Sequence, residues 1–155
     1  MHDEPGRKHP ARGVHISFGD PTIVFLTVCT KDRSSWLANK TVQYALIGLW
    51  NKGDAWMVGE YILMPDHLHL FCAPRDLAFT LQQWVTWWKR QFSCLHLPDT
   101  GAWQRDYWDT RLRRGENYAQ KWHYVRNNPI RKGLAKSADD WPYQGRLNVL
   151  PWIGD

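Results

Sequence analysis

Residues 64–71 read Met64-Pro65-Asp66-His67-Leu68-His69-Leu70-Phe71, a turn followed by the start of a buried strand. Successive side chains of a strand point to opposite faces, so His67 and His69 share one face and Leu68 and Leu70 the other. Neutral imidazoles commonly bind divalent metals, although a third ligand has to come from elsewhere. The stretch therefore predicts half of a metal site, and the alternative is a pair of surface histidines on a solvent-facing strand.

The segments around this turn predict the fold. Strand-like runs over 56–63 and 67–73 flank it, which indicates an antiparallel hairpin. A β-branched and aromatic run over 22–30 predicts the first strand. The other expected elements are a helix over 39–52, a helix over 77–95, a strand or extended loop over 103–113 and a helix over 116–127.

This order, β-α-β-β-α-β with a further helix, predicts an α+β fold. We expect a ferredoxin-like antiparallel sheet with helices packed on one face, plus a C-terminal helix that carries a tyrosine. The 155 residues fit a single domain over 1–155, with an irregular basic arm over 1–20 and an irregular tail over 141–155.

The charge of the chain favours a polyanionic partner. Twenty Lys and Arg against fifteen Asp and Glu give a formal net charge of +5, and the sequence pI is about 9.2. Tryptophans and a tyrosine lie among the basic residues of the last third of the chain, as expected where unpaired bases stack on aromatic rings. The ordinary alternative is a solvated basic surface. The candidate DNA contacts are Lys8, Arg12, Lys89, Arg90, Arg105, Arg111, Arg113, Arg114, Arg126, Arg131 and Lys132.

Cysteine usage and apolar runs indicate the compartment. Cys29, Cys72 and Cys94 are widely spaced and form no C-x-x-C pair, so we expect reduced, buried residues and neither a disulfide framework nor a thiolate zinc site. The N-terminus lacks the apolar region of a signal peptide, and no apolar run approaches the roughly 20 residues of a membrane span. We expect a cytoplasmic, nucleoid-associated protein without a membrane partner.

A second unusual segment begins at Tyr118. Tyr124 and Asn128 are four residues apart, so they share a helix face if the helix continues that far. A tyrosine can attack a phosphodiester, but its ordinary pKa near 10 calls for a group that polarises the phosphate, such as a metal. Tyr124 is otherwise a core residue beside Trp122, and Tyr118 is a rival on another face. Asn128 precedes Pro129, which disfavours helical dihedrals and leaves its geometry open.

Four segments follow one another along the chain: FLTVCTKDR over 25–33, MPDHLH over 64–69, WQRDYWD over 103–109 and YVRNNPIRKGL over 124–134. Together, over about 22–143, they resemble the REP-associated tyrosine transposases. These form a branch of the HUH single-tyrosine transposases, which are named for a His-hydrophobic-His motif. The resemblance implies that His67 and His69 are metal ligands, with Asn128 as the third, that Tyr124 is the nucleophile, and that Mg²⁺ or Mn²⁺ is the cofactor.

The resemblance also implies a function. It is that of a metal-dependent single-stranded DNA endonuclease and strand transferase, which cuts and rejoins DNA at palindromic repeat hairpins through a 5′-phosphotyrosine intermediate. The protein would act as a monomer or homodimer. The alternatives are a hairpin DNA-binding module without turnover, and a metal-dependent phosphodiesterase that activates water, for which the sequence offers few further ligands.

Overall fold

The computed structural model describes residues 22–112 and 115–151. The basic arm with Lys8 and Arg12, and also Arg113 and Arg114, lie outside the described residues. The strands and helices are β1 Ile23–Thr30, α1 Lys40–Lys52, β2 Trp56–Leu63, β3 His67–Pro74, α2 Leu81–Cys94, β4 Trp103–Leu112, α3 Gly115–Arg126, α4 Asn128–Arg131 and β5 Gln144–Arg146.

The strands form one antiparallel sheet in the order β4-β1-β3-β2-β5. Its first four strands have the ferredoxin-like order, so the predicted α+β fold is confirmed. The fifth strand was not expected, because the tail from residue 141 carries no strand pattern. Residues 144–146 form β5 by pairing with Glu60, Tyr61 and Ile62 of β2, a contact between distant parts of the chain.

The two faces of the sheet carry separate hydrophobic clusters. On one face, Leu26 and Leu70 pack in a cluster that includes α1 and α2 residues such as Leu46 and Trp88. On the other face, the cluster contains Phe71 and residues of α3. The expected packing of helices on one face holds for α1 and α2, and the tyrosine helix α3 covers part of the opposite face.

Helix α2 begins later than its apolar period suggested. The period extends from 77, but the helix starts at Leu81 because Thr80 forms a capping box with Gln83. Cys94, at its end, is exposed, whereas Cys29 and Cys72 are buried as expected. None of the helices in the described ranges has both the length and the apolarity needed to cross a membrane.

Candidate active site

The two histidines lie side by side on the α3 face of β3. The strand register places His69 opposite Thr27 and His67 opposite Cys29 on β1. The imidazole centroids are 4.8 Å apart, and the residues are 2% and 5% exposed for His67 and His69 respectively. The pair is therefore a buried feature of the sheet, which excludes the alternative of two surface histidines.

The orientation of His67 leaves one ring nitrogen for a ligand. Its Nδ1 is 2.8 Å from Oδ1 of Asp66, and Nε of Arg33 donates to the other oxygen of Asp66 at 3.0 Å. These partners hold the pKa of Asp66 well below its usual range, so the ionised carboxylate accepts a hydrogen bond from Nδ1–H of His67. The Nε2 atom is buried and has no hydrogen-bond partner among the described residues. Carboxylate, imidazole and open nitrogen form the arrangement found at metal-ligating histidines.

His69 is held by different contacts. Its Nδ1 is 2.9 Å from the Thr27 hydroxyl oxygen, and its ring stacks on Phe25 with the centroids 5.1 Å apart. Burial lowers the pKa of both histidines, and the proximity of His67 adds to the effect on His69. Both imidazoles are therefore neutral near pH 7, which is the form that binds a metal.

The third metal ligand is not identified by a cluster of acidic, histidine or cysteine side chains. No group of three or more His, Cys, Asp or Glu side chains comes together in the described part of the chain. Asn128 is 6% exposed, and its Oδ1 accepts a hydrogen bond from Nη2 of Arg131. Helix α3 ends at Arg126 and a new short helix begins at Asn128, so the residue before Pro129 does not continue the tyrosine helix. Its role as a metal ligand remains a prediction.

Helix α3 lies across the face that carries the histidines. Its Tyr118 ring stacks on Phe71 of β3, with the centroids 4.3 Å apart. One turn further along the helix, toward Tyr124, Nζ of Lys121 lies 5.1 Å from the ring centroid of Phe25. The Phe25 ring in turn stacks on His69. The packing of this helix thus brings its last two turns to the histidine side of the sheet.

The two candidate tyrosines have opposite environments. The Tyr118 hydroxyl donates to Oε1 of Glu60, and burial together with this carboxylate raises the pKa of Tyr118. Tyr124 is 61% exposed, which excludes a place in the core. It lines a cleft of about 470 Å³ between the end of β4 and α3, together with Thr110, Arg111, Leu112, Asn117, Gln120 and Lys121. Only Tyr124 of the two is accessible to a large substrate.

The basic candidates that the structure describes do not form a single patch. Arg111 lies in the Tyr124 cleft, whereas Arg90 lines a groove between α1 and α2 on the other side of the sheet. Nζ of Lys89 donates to the backbone oxygens of residues 104 and 105, and Arg126 pairs with Asp139. Arg105 and Lys132 are exposed. Lys89 therefore ties α2 to β4, and Arg111 is the described candidate that shares a cleft with the tyrosine.

Sequence reasoning missed the residues that orient the histidines. Asp66 directly precedes His67, so its carboxylate was a signal that could have been used. Thr27 and Phe25 lie more than forty residues before His69 in the sequence, and the strand register alone places them beside its ring. Arg33 reaches Asp66 from a turn in which Asp32 and Arg33 have positive φ values of 57° and 55°.

Comparisons with known proteins agree with the predicted resemblance. No family model matches the chain. It is 23% identical over 142 residues to a REP-associated tyrosine transposase of Escherichia coli K12, covering 84% of each protein. It is 26% identical over 95 residues to a provisionally named REP-associated tyrosine transposase of Haemophilus influenzae, covering 52% of this chain and 53% of the relative.

A solved structure shares the fold. It is that of a REP-associated tyrosine transposase bound to a REP hairpin, with a TM-score of 0.66 and 21% sequence identity. The match covers 92% of this chain and 82% of the other. The resemblance to REP-associated tyrosine transposases is thereby confirmed in both sequence and fold.

Proposed function

We propose that this protein is a metal-dependent enzyme that cuts and rejoins single-stranded DNA at palindromic repeat hairpins. Tyr124 is the nucleophile, and His67 and His69 hold the metal. The observation that carries the proposal is an exposed tyrosine on a helix that packs on the same face of the sheet as two buried histidines, one of which has an open Nε2. The relatives and the hairpin-bound structure support hairpin DNA as the substrate class.

The reaction is a phosphoryl transfer to the tyrosine. The phenol oxygen of Tyr124 forms a bond to the phosphorus, and the bond from phosphorus to the 3′ oxygen breaks. The phenol proton is released to solvent and the leaving oxygen takes up a proton, which gives a 5′-phosphotyrosine and a free 3′-hydroxyl. Attack by a 3′-hydroxyl reverses these steps, so joining needs no other energy source.

His67 and His69 are the residues of this chain that would hold Mg²⁺ or Mn²⁺. A bound divalent ion polarises the phosphate as a Lewis acid. Asp66 keeps the Nδ1 proton of His67 in place, so that its lone pair lies on Nε2. Asn128 would be the third ligand, because its amide oxygen has two lone pairs and can keep the hydrogen bond from Arg131.

The cellular setting follows from the substrate. We infer that the protein acts in the cytoplasm on nucleoid DNA, as a monomer or homodimer. The DNA contacts include Arg111, which lies in the Tyr124 cleft. Exposed Arg105 and Lys132 extend the basic surface.

The direct test uses end-labelled single-stranded DNA that contains repeat hairpins from the source genome. Wild-type protein and Tyr124→Phe are incubated with this DNA in Mn²⁺ or in EDTA, and denaturing gels are scored for a covalent protein–DNA adduct. Tyr118→Phe is the matched control, because it removes a hydroxyl from the same helix. We expect an adduct with wild type and Tyr118→Phe in Mn²⁺, and none with Tyr124→Phe or in EDTA.

The alternatives give different gels. Hairpin binding without an adduct over a range of repeat sequences indicates a binding module. Strand cutting that persists in Tyr124→Phe indicates an activated-water phosphodiesterase, and either result rejects the proposal.

A further inference from the structure

The Tyr124 ring is covered by one arginine of α4. The guanidinium carbon of Arg131 lies 3.8 Å from the ring centroid of Tyr124. Its Nη2 donates to the Tyr124 carbonyl oxygen at 2.7 Å and also to Oδ1 of Asn128. We propose that Arg131 is a positioning residue that fixes the ring of the nucleophile, and not the DNA phosphate contact that its charge suggests. This inference rests on the proposed function of Tyr124.

The local chain geometry explains why Arg131 reaches this place. Tyr124 lies in the last turn of α3, where its carbonyl oxygen accepts from the N–H of Asn127 at 3.3 Å and still has a lone pair for a side-chain donor. The chain turns at Asn127 and re-enters a helix at Asn128, which brings Arg131 back over the end of α3. The backbone N–H of Arg131 donates to the Asn127 oxygen at 3.1 Å, and Gly133, with a φ of +72°, closes the turn.

An arginine suits this position better than a lysine. Its planar guanidinium can stack flat on an aromatic ring while its N–H groups serve two acceptors. A lysine ammonium has no plane and cannot keep both contacts in one geometry. The contact therefore uses the shape of the Arg131 side chain in addition to its charge.

The nucleophile needs such a restraint because it is exposed. Without a restraint, a tyrosine that is 61% exposed would sample several rotamers, and few of them would point its hydroxyl at a phosphate. The Arg131 stack selects one ring orientation, and its bond to Asn128 links the ring to a buried residue. Holding a reacting group near its attack geometry raises the rate of the chemical step rather than the affinity for substrate.

The test separates rate from affinity. Adduct formation is measured in single turnover at saturating hairpin DNA in Mn²⁺, and DNA affinity is measured at several salt concentrations. The proteins are wild type, Arg131→Lys, Arg131→Gln and Lys136→Gln, which removes one charge from an exposed position nearby. Far-UV circular dichroism and the final adduct yield correct each rate for the folded fraction.

We expect Arg131→Gln and Arg131→Lys to slow adduct formation tenfold or more at saturating DNA, with Lys136→Gln unchanged in rate. Unchanged rates in both Arg131 variants, with weaker binding and a smaller salt dependence, would overturn the inference and make Arg131 a phosphate contact. Absence of any adduct from wild type would instead overturn the proposed function and this role with it.

A spectroscopic measurement reads the contact without activity. The side-chain protons of Arg131 lie over an aromatic ring, so their NMR signals should be shifted upfield in wild type and return to ordinary positions in Tyr124→Leu. Ordinary positions in wild type would contradict the stack.

Discussion

Tyr118 and Tyr124 lie on the same helix but have different environments. Six residues apart on α3, they point to different sides of it. Tyr118 stacks on Phe71 and donates to Glu60, so it holds the helix on the sheet. Tyr124 extends into the cleft beside β4. The candidate site thus combines one accessible phenol with two buried imidazoles.

The structural role of Tyr118 gives a prediction for stability. Tyr118→Phe removes the hydrogen bond to Glu60 and leaves a half-buried carboxylate without that donor, so the free energy of unfolding should fall by about 1–3 kcal/mol. Urea denaturation followed by circular dichroism measures the change. Because the ring and its stack remain, hairpin DNA cutting by the folded variant should stay near wild type. If Tyr118→Phe is as stable as wild type, the Tyr118–Glu60 hydrogen bond does not stabilise the fold.

Asp66 should control metal affinity through His67. Asp66→Ala frees the Nδ1 proton of His67 and allows the other tautomer and ring orientation, so Mn²⁺ affinity should fall about 10–100-fold. Electron paramagnetic resonance of free Mn²⁺ during titration gives the dissociation constant. Asp139→Asn is the control, since it also removes a carboxylate, at a position with an 88% exposed side chain. Equal affinities in wild type and Asp66→Ala would argue against His67 as a ligand.

The buried histidines should make the metal-free protein sensitive to acid. In the unfolded chain they titrate near pH 6.5, whereas burial lowers the pKa of His67 and His69 in the folded state. The unfolded state therefore binds more protons, and stability falls as pH decreases below about 6.5. Each fully titrating group contributes about 1.4 kcal/mol per pH unit.

Urea denaturation in EDTA at pH 7.5, 6.5 and 5.5 measures this loss. The decrease should be steeper in wild type than in His69→Gln, which retains a polar side chain without a titrating ring. Equal decreases in the free energy of unfolding of the two proteins would show that His69 does not cause the acid sensitivity.

Among the elements, the predictable ones have a local sequence pattern. The apolar period of α2 identified a helix with one buried face, and the β-branched and aromatic run of β1 identified a strand that is buried along its whole length. The start of α2 and the presence of β5 were not predictable in the same way. The first depends on the Thr80 cap, and the second on three residues that pair with β2 across more than eighty positions of sequence.

Alanine substitutions at two glycines should change the free energy of unfolding in opposite directions. Gly133 closes α4 at a φ of +72°, so Gly133→Ala should lower the free energy of unfolding by about 1 kcal/mol. Gly48 lies inside α1, where an added Cβ would meet nothing within 4 Å, so Gly48→Ala should raise it by about 0.5–1 kcal/mol. Thermal unfolding of both variants measures the difference. Similar shifts of the same sign would contradict the assigned backbone conformations.

In the whole molecule, the sheet separates a hydrophobic core on one face from the candidate site on the other. Its α1–α2 face is a conventional hydrophobic core, and its α3 face combines apolar packing with the histidines. The row that crosses this face runs from Ile62 through His69 and Thr27 to Trp108, and so it joins four strands, of which only β2 and β3 are connected by a short turn. Motifs in the sequence predicted the histidines and Tyr124 as site residues, and their roles stay predictions. Asp66 could have been identified as the neighbour of His67 in the sequence, whereas the contacts of Thr27 and Phe25 with His69 follow only from the assembled sheet.

The basic residues of the molecule differ in whether they contact the protein itself. The net charge of +5 predicted a polyanionic partner. The sequence does not reveal which basic side chains contact acceptor groups of the protein itself. Lys89, Arg126 and Arg131 each contact acceptors of the chain itself. Arg111 is placed in the cleft of the proposed nucleophile. The basic surface available to DNA is therefore smaller than the count of basic residues suggests.

The proposed reaction joins Tyr124 covalently to DNA. The adduct is formed with hairpin DNA in Mn²⁺, the DNA is digested with nuclease and the protein with trypsin, and the nucleotide-bearing residue is located by tandem mass spectrometry. We expect a 5′-phosphonucleotide on Tyr124 and an unmodified Tyr118. A nucleotide on Tyr118 or on another residue, or cleaved DNA with no modified tyrosine, would contradict the proposed reaction.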